Sequence, residues 1–431
     1  MSIVKLPQYI WHNQKDVEFP LPDDWQITVQ NIAGHDRPAL KPEEIRAAIA
    51  SPVGMEPLRE RARGKQEVVI LFDDMTRSTR TYEIIPFLLE ELAAAGITDD
   101  RIRFICAVAN HMVLDRVAMV KKLGEDIVSR FLVFNHCPFL NLTDVGTTSF
   151  GTRALINSEV IKCDLKIGIG SVMPHPQYGF AGGAKLITPG VTAYDTVKAH
   201  HGETHNGWKA DQREKGLPIS GHVDDNPLNA DAQEIARMIG FDMIIDCLAN
   251  KWGETVAVFA GDLDEIYPEA VEAARAHYLA TNTKDNDIVI ANNFIKASEI
   301  NLAMGSAAAV TPKGGDLVIL ASSPSGQVVH YLLDLFGKPV AGTSHGPPLA
   351  PHLDNFIIYN QYPEAEMMAR HANNDKVMMT ADWNKVIERL KKSNGAGAKV
   401  AVYPNADIQY FPQPAGAGGE KSEDRAALAG R

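Results

Sequence analysis

Residues 164–201 read DLKIGIGSVMPHPQYGFAGGAKLITPGVTAYDTVKAHH. The apolar run 164–169 predicts a buried strand that leaves a sheet at Gly170. A loop follows at once and crowds His175, the pair Gly182-Gly183, Lys185 and the doublet His200-His201 into one short segment. Pro189-Gly190 punctuates it before a helix over 193–198. Glycines let backbone amides approach an anion or a flat cofactor because no Cβ blocks the way, so Gly182 and Gly183 are candidate cofactor contacts. Lys185 beside them is a phosphate clamp or, if desolvated, a covalent attachment point. His201 can offer a neutral imidazole to zinc, copper, iron or nickel. Taken singly, these residues are more ordinarily turn glycines, a solvated lysine and surface histidines; their crowding favours a site.

Working outward, residues 67–72 predict a buried strand and 84–95 an amphipathic helix closed by Gly96. Between them lies DDMTRSTR (73–80), at the end of a strand, where open α/β sheets place ligands. A second unit repeats the arrangement: strand 101–108, then Asn110-His111, then helix 114–123, with a further strand over 131–135. His111 and His175 thus follow strand ends and fall on one edge of a sheet. The polar stretch 202–231 reads as an excursion over the surface. Helix 232–238, strands 241–248 and 254–260 and helix 265–278 lead to a boundary near 279–285. Strands 287–292 and 315–321 follow, with helices 300–310, 330–336 and 364–369, and 399–403 closing the sheet.

The expected fold is α/β: two domains with open, mostly parallel sheets flanked by helices and an active site in the crevice between them. Residues 1–280 form the N-terminal domain carrying cofactor and catalytic histidines, 281–413 the C-terminal domain, and 414–431 a disordered tail.

With 431 residues and a formal net charge of -12, the chain is a poor partner for nucleic acid or an anionic membrane. A small anionic substrate must be drawn by local basic residues. The first residues lack the pattern of a secretory signal and no apolar run approaches a membrane span, so a cytoplasmic protein is expected. The four cysteines form no metal-type pair and read as buried free thiols.

The run PHPQYGFAGGAK (174–185), with His201 downstream, resembles the nickel-pincer lactate racemase superfamily of 2-hydroxy acid racemases and epimerases. The resemblance extends to DDMTR (73–77), LGEDIVSRFLVFNHCP (123–138), TDVGTTSFGT (143–152) and FAGDLDE (259–265). It implies an isomerase acting on a small-molecule 2-hydroxy acid through transient hydride transfer, with a 2-keto acid intermediate. The cofactor implied is a nickel pincer nucleotide (pyridinium-3-thioamide-5-thiocarboxylic acid mononucleotide), built by cofactor maturation enzymes. By the resemblance Lys185 tethers it and His201 ligates nickel, with His200 the competing choice. His111 and His175 are the catalytic pair. One base cannot serve both mirror images equally, whereas two imidazoles can each act as acid or base near neutral pH.

Arg77 offers a planar fork that suits the substrate carboxylate, and Asp74 would orient cofactor or substrate hydroxyls; a helix cap with a solvated arginine is the plain alternative. The family's Asn-Leu-Tyr-Gln-x-x-Lys helix is not reproduced. Here Asn301-Leu302 continues as Ala303-Met304, with Ala307 in the lysine's place. Small residues at Ala303, Gly305 and Ala307 point to a pocket with spare volume and a substrate other than lactate. Lys296, just past a strand, could supply the missing charge, or be a surface lysine. Two other classes compete: an α/β metal- or nucleotide-dependent oxidoreductase or lyase, for which Gly168-Ile169-Gly170 lacks the third glycine and helix start, and a non-catalytic ligand-binding homologue.

Overall fold

The apolar run predicted at 67–72 is the strand Val68–Phe72, every residue buried. It belongs to a computed structural model that describes residues 1–328, 349–364 and 374–412, with the paired strands Asp334–Leu335 and Lys338–Pro339. Alternate side chains of a strand face opposite ways. Val68, Ile70 and Phe72 accordingly join one core with Ile84 and Leu88 of the helix Thr81–Ala94, while Val69 and Leu71 join another with Tyr178, Phe180 and Ile187. Each such buried side chain contributes about 1.5–3 kcal/mol.

The first six-stranded sheet runs in the order Thr255–Gly261, Met243–Ala249, Leu165–Ser171, Val68–Phe72, Ile102–Cys106, Leu132–Asn135. All neighbours are parallel except the first two. From Val68–Phe72 the chain works outward to Leu132–Asn135, then returns to the opposite side as Leu165–Ser171. That reversal is the switch point beyond whose carboxyl ends open α/β sheets bind ligands.

The second sheet is parallel throughout, in the order Val377–Thr380, Leu353–Tyr359, Gly315–Leu320, Ile288–Asn292, Lys399–Tyr403, Gln26–Val29. Its reversal falls between Ile288–Asn292 and Lys399–Tyr403. The strand expected to close this sheet is therefore interior, and the edge comes from the N-terminal region. The hairpin Ser2–Gln8/Lys15–Leu21 adds Leu6, Phe19 and Leu21 to a core with Ile288, Ile290 and Val318. Residues 2–29, grouped with the first domain in the sequence division, thus pack on the second sheet.

Three local expectations need correction. Residues 202–231 are no surface excursion: they contain the helix Asn206–Glu214 and the start of Pro227–Met238, with Lys209, Gln212, Asn226 and Asp231 buried. Residues Ile300–Ala309 form a 3₁₀ helix, and burial at Ile300, Ala303, Ser306 and Ala309 follows its three-residue turn. Asp334–Leu335 is a strand, not part of a helix 330–336. The rest of that segment, the helix expected over 364–369 beyond Glu364, and the tail 414–431 lie outside the described residues. Cys106, Cys163 and Cys247 are buried, but Cys137 is exposed. Among the described residues no helix is long and apolar enough to cross a membrane.

Candidate active site

Asp73 and Asp74 leave the strand Val68–Phe72 together and take different partners. Asp73 receives the Lys122 ammonium at 2.6 Å and the Thr79 hydroxyl. Lys122, its side chain fully buried, also donates to the carbonyls of Arg77 and Thr79 at 3.1 Å each. It thereby ties the loop that carries Arg77 to the body of the sheet. Asp74 accepts the Thr76 amide at 2.9 Å and hydroxyl at 2.5 Å on one oxygen, and faces His111 Nδ1 at 2.6 Å with the other. Burial pushes the Asp74 carboxyl up, but His111, Arg77 and Thr76 outweigh it and hold it well below the usual carboxylate range.

His111 follows Ile102–Cys106 through a turn in which Ala109 adopts φ 52°, a strained backbone of the kind kept where position matters. Because Asp74 is an acceptor, the proton on neutral His111 sits on Nδ1 and the lone pair on Nε2. His175, past Leu165–Ser171, is the opposite case. Its Nδ1 accepts the amides of Gln177 at 3.2 Å and Tyr178 at 3.3 Å, so its proton sits on Nε2. Burial first, then Lys185, Lys296, Arg77 and His201, hold His175 well below the ordinary imidazole value.

The glycine turn serves shape. Gly182 and Gly183 take φ 88° and 54°, and a Cβ on Gly183 would lie 2.6 Å from the buried Tyr267 ring. The Gly183 amide is given to Asp246 Oδ2 at 2.9 Å, so it is not offered to an anion as the sequence alone led one to expect. Burial raises Asp246 to about 7. The turn delivers Lys185, whose Nζ lies 4.3 Å over the Tyr178 ring and makes no hydrogen bond among the described residues. Burial, then Arg77 and Lys296, push this amine well down, against Glu299 and Asp74. Lys185 and His175 nonetheless keep some accessible surface.

The doublet divides cleanly. His200 is fully buried, with Nε2 3.1 Å from the Leu228 carbonyl and Nδ1 3.3 Å from the Tyr178 hydroxyl. His201 is half-buried, its Nδ1 3.3 Å from His200 Nδ1, and it is near enough to His175 to depress it.

From the second sheet's reversal come groups that the sequence reading underweighted. Lys296 is buried, its amide bound to Asp407 at 2.6 Å. Burial and then Arg77 lower its ammonium, opposed by Glu299, Asp407 and Asp74. Glu299 meets Arg77 Nη1 at 3.4 Å. Arg77, Lys185, Lys296, His175 and His201 therefore converge, and Glu299 and Asp407 were missed. Glu299 could have been found as the acid closing the same polar run as Lys296; Asp407 has no sequence signal. Ala303 and Ala307 are buried in the core with Val289 and Ile319, whereas Gly305 between them is exposed, with open space where a Cβ would stand. Several buried polar atoms near these strand ends have no hydrogen-bond partner among the described residues, among them Asn110 Oδ1 and Nδ2, Ser171 Oγ and Asn293 Oδ1.

Residues 12–212 match the lactate racemase N-terminal domain family. The lactate racemase of Lactiplantibacillus plantarum is 28% identical over 306 residues, covering 69% of this chain and 70% of that protein. That of Thermoanaerobacterium thermosaccharolyticum is 24% identical over 391 residues, covering 89% and 88%. The structure of the latter's apoprotein superposes with a TM-score of 0.71 at 19% identity, covering 95% of this chain and 100% of that one. A Thermotoga maritima crystal structure superposes at 0.63 and 18% identity, covering 86% and 98%.

Proposed function

This chain is a member of the lactate racemase superfamily, and from that premise we propose that it inverts C2 of a 2-hydroxy acid, as a racemase or epimerase, in a crevice between its two sheets. The observation that carries the reading is the Asp74–His111 pair at 2.6 Å, grouped with a second imidazole and three basic side chains.

The residues present fit a lysine-tethered nickel pincer. Lys185 would carry it: its Nζ makes no hydrogen bond among the described residues, and burial with Arg77 and Lys296 beside it disfavours the charged form, as suits an amine that is to be acylated. His201 would offer the nickel ligand, since both nitrogens of His200 are engaged inside the protein. When bound, such a group supplies a hydride acceptor for the substrate's α-hydrogen. Enzymes that build it would then be partners.

The chain's own side chains do the rest. Arg77 and Lys296 hold the carboxylate. His111 Nε2 takes the hydroxyl proton, and the Asp74 carboxylate stabilises the imidazolium that forms. His175 presents Nε2–H to the substrate oxygen; to take a proton there in the opposite direction, its contacts with the amides of Gln177 and Tyr178 must give way. Glu299 beside Arg77 repels a second carboxylate and accepts hydroxyls, which favours a hydroxylated chain such as a sugar acid over malate or lactate.

The test is a panel of single-enantiomer acids (lactate, malate, phenyllactate, sugar acids) given to cofactor-loaded protein. Chiral analysis follows inversion, and isotope retention follows the α-hydrogen. Inversion with retained α-hydrogen, fastest for a sugar acid, is expected. No inversion of any acid, or wholesale exchange of the α-hydrogen with solvent, overturns the reaction; malate or lactate as best substrate overturns only the pocket argument.

A further inference from the structure

On an α-helix, side chains five positions apart diverge by about 140°. His200 and His205 do not, because Ala199–Thr204 is a π-helical segment, whose i to i+5 repeat sets them one above the other. Their ring centroids are 5.1 Å apart. Asp231, from the helix Pro227–Met238, enters between them, with Oδ2 2.8 Å from His205 Nε2 and 3.7 Å from His200 Nε2. All three residues are buried and their nearest ligand atoms lie within 4.8 Å of one another. Thr152 donates to the same Oδ2 at 2.6 Å. Among the described residues Oδ1 has no close hydrogen-bond partner, although the Thr148 hydroxyl lies near enough to help hold the carboxylate charged.

Among the described residues no lysine or arginine pairs with Asp231; its only ion-pair contacts are the two imidazoles. Asp231 lies wholly out of water, and only His205, Thr152, His200 and Thr148, none of them a fixed cation, offset its burial and hold the carboxylate below its usual range. Two neutral imidazoles and one carboxylate oxygen are a donor set for zinc, and π-helical turns recur at functional sites.

We propose that His200 Nε2, His205 Nε2 and Asp231 hold a divalent zinc-type ion, separate from any group on Lys185. Tetrahedral ligands about 2.0–2.1 Å from zinc lie about 3.3–3.5 Å from one another. The two separations from Asp231, 2.8 and 3.7 Å, bracket that spacing and all three ligand atoms lie within 4.8 Å of one another, so binding requires side-chain shifts, one of them drawing His200 off the Leu228 carbonyl. Asp231 Oδ1 or a water would complete the fourth position. The ion is structural: it ties the π-helical turn to the helix Pro227–Met238 and so fixes the backbone of His201, one residue along. This inference does not depend on the proposed reaction.

The experiment uses untagged full-length protein from a host that lacks pincer-building enzymes, grown with zinc and without added nickel, then dialysed against a weak chelator. Elemental analysis should find about one zinc per chain, and cobalt exchange should give the visible bands of a tetrahedral site. Asp231→Asn and His205→Gln should lose at least about tenfold in affinity, whereas His201→Ala keeps the zinc. His205→Gln retains a donor toward Asp231, so the hydrogen-bonded shape survives while the ligand is lost. Wild-type protein with only trace zinc after loading, or equal zinc in wild type and both ligand variants, overturns the proposal. If the variants misfold, the cobalt spectrum of wild type still decides: octahedral or absent bands refute the site.

Discussion

Replacing Lys122 by methionine tests whether the loop carrying Arg77 is held from beneath. The ammonium binds Asp73 Oδ1 at 2.6 Å and the carbonyls of Arg77 and Thr79 at 3.1 Å, and lies 5.1 Å from the Trp11 ring centroid. Removing one partner of a buried pair costs about 3–5 kcal/mol. Burial already pushes the Asp73 carboxyl up against the pull of Lys122, Thr79 and Arg77. Once Lys122 is gone Asp73 can take a proton, which sets the loss near the lower end, about 3 kcal/mol. At about 2–4 °C per kcal/mol the melting temperature should fall by about 6–12 °C, read by circular dichroism at neutral pH. The double variant Lys122→Met/Asp73→Leu replaces the pair by apolar groups and should recover part of the stability. It should not recover inversion activity, because the Arg77 carbonyl has lost its anchor. Lys122→Met melting within about 1 °C of wild type, or a double variant as active as wild type, would refute the reasoning.

The low value of the folded Asp74 carboxyl means its stabilisation is present above the unfolded carboxylate value of about 3.9 and fades as pH falls below it. Melting curves between about pH 6 and 3 should therefore drop more steeply for wild type than for Asp74→Asn; parallel curves would contradict the pairing. Gly183→Ala forces an L residue into φ 54° and against Tyr267, at about 2–4 kcal/mol; chemical unfolding should show it, and an unchanged midpoint would sink the packing argument. In cofactor-loaded protein, His201→Ala should lower nickel content while His111→Ala and His175→Ala keep it; full nickel in His201→Ala together with its loss in His200→Ala would return the ligand role to His200.

Much of this was legible along the chain. The units 67–95 and 101–123 announce themselves by apolar runs and cap signals, and the rule for strand ends brings Asp74, His111 and His175 to one edge. What could not be read is pairing between distant polar residues. Residues 202–231 look solvated by composition, yet Asp231, His205 and Lys209 are buried because their partners, Thr152, Asp231 and Gln177, satisfy them. Glu299 and Asp407 belong to a different sheet from Arg77, and periodicity carries nothing about which switch points meet. The N-terminal edge strand escaped for the same reason: its four residues carry no periodic signal, and only Lys399–Tyr403 makes them a strand.

That edge strand also bears on how the protein is made. Thr28 pairs beside Val400 across 372 positions, so this edge strand must wait for a partner that is made much later in translation. The first sheet takes all its strands from residues 68–261 and can assemble while translation continues, whereas the second stays incomplete until the strand Lys399–Tyr403 has been made. Through that interval the hairpin Ser2–Gln8/Lys15–Leu21 would expose Phe19 and Leu21 without their partners, the kind of transient apolar surface on which chaperones act.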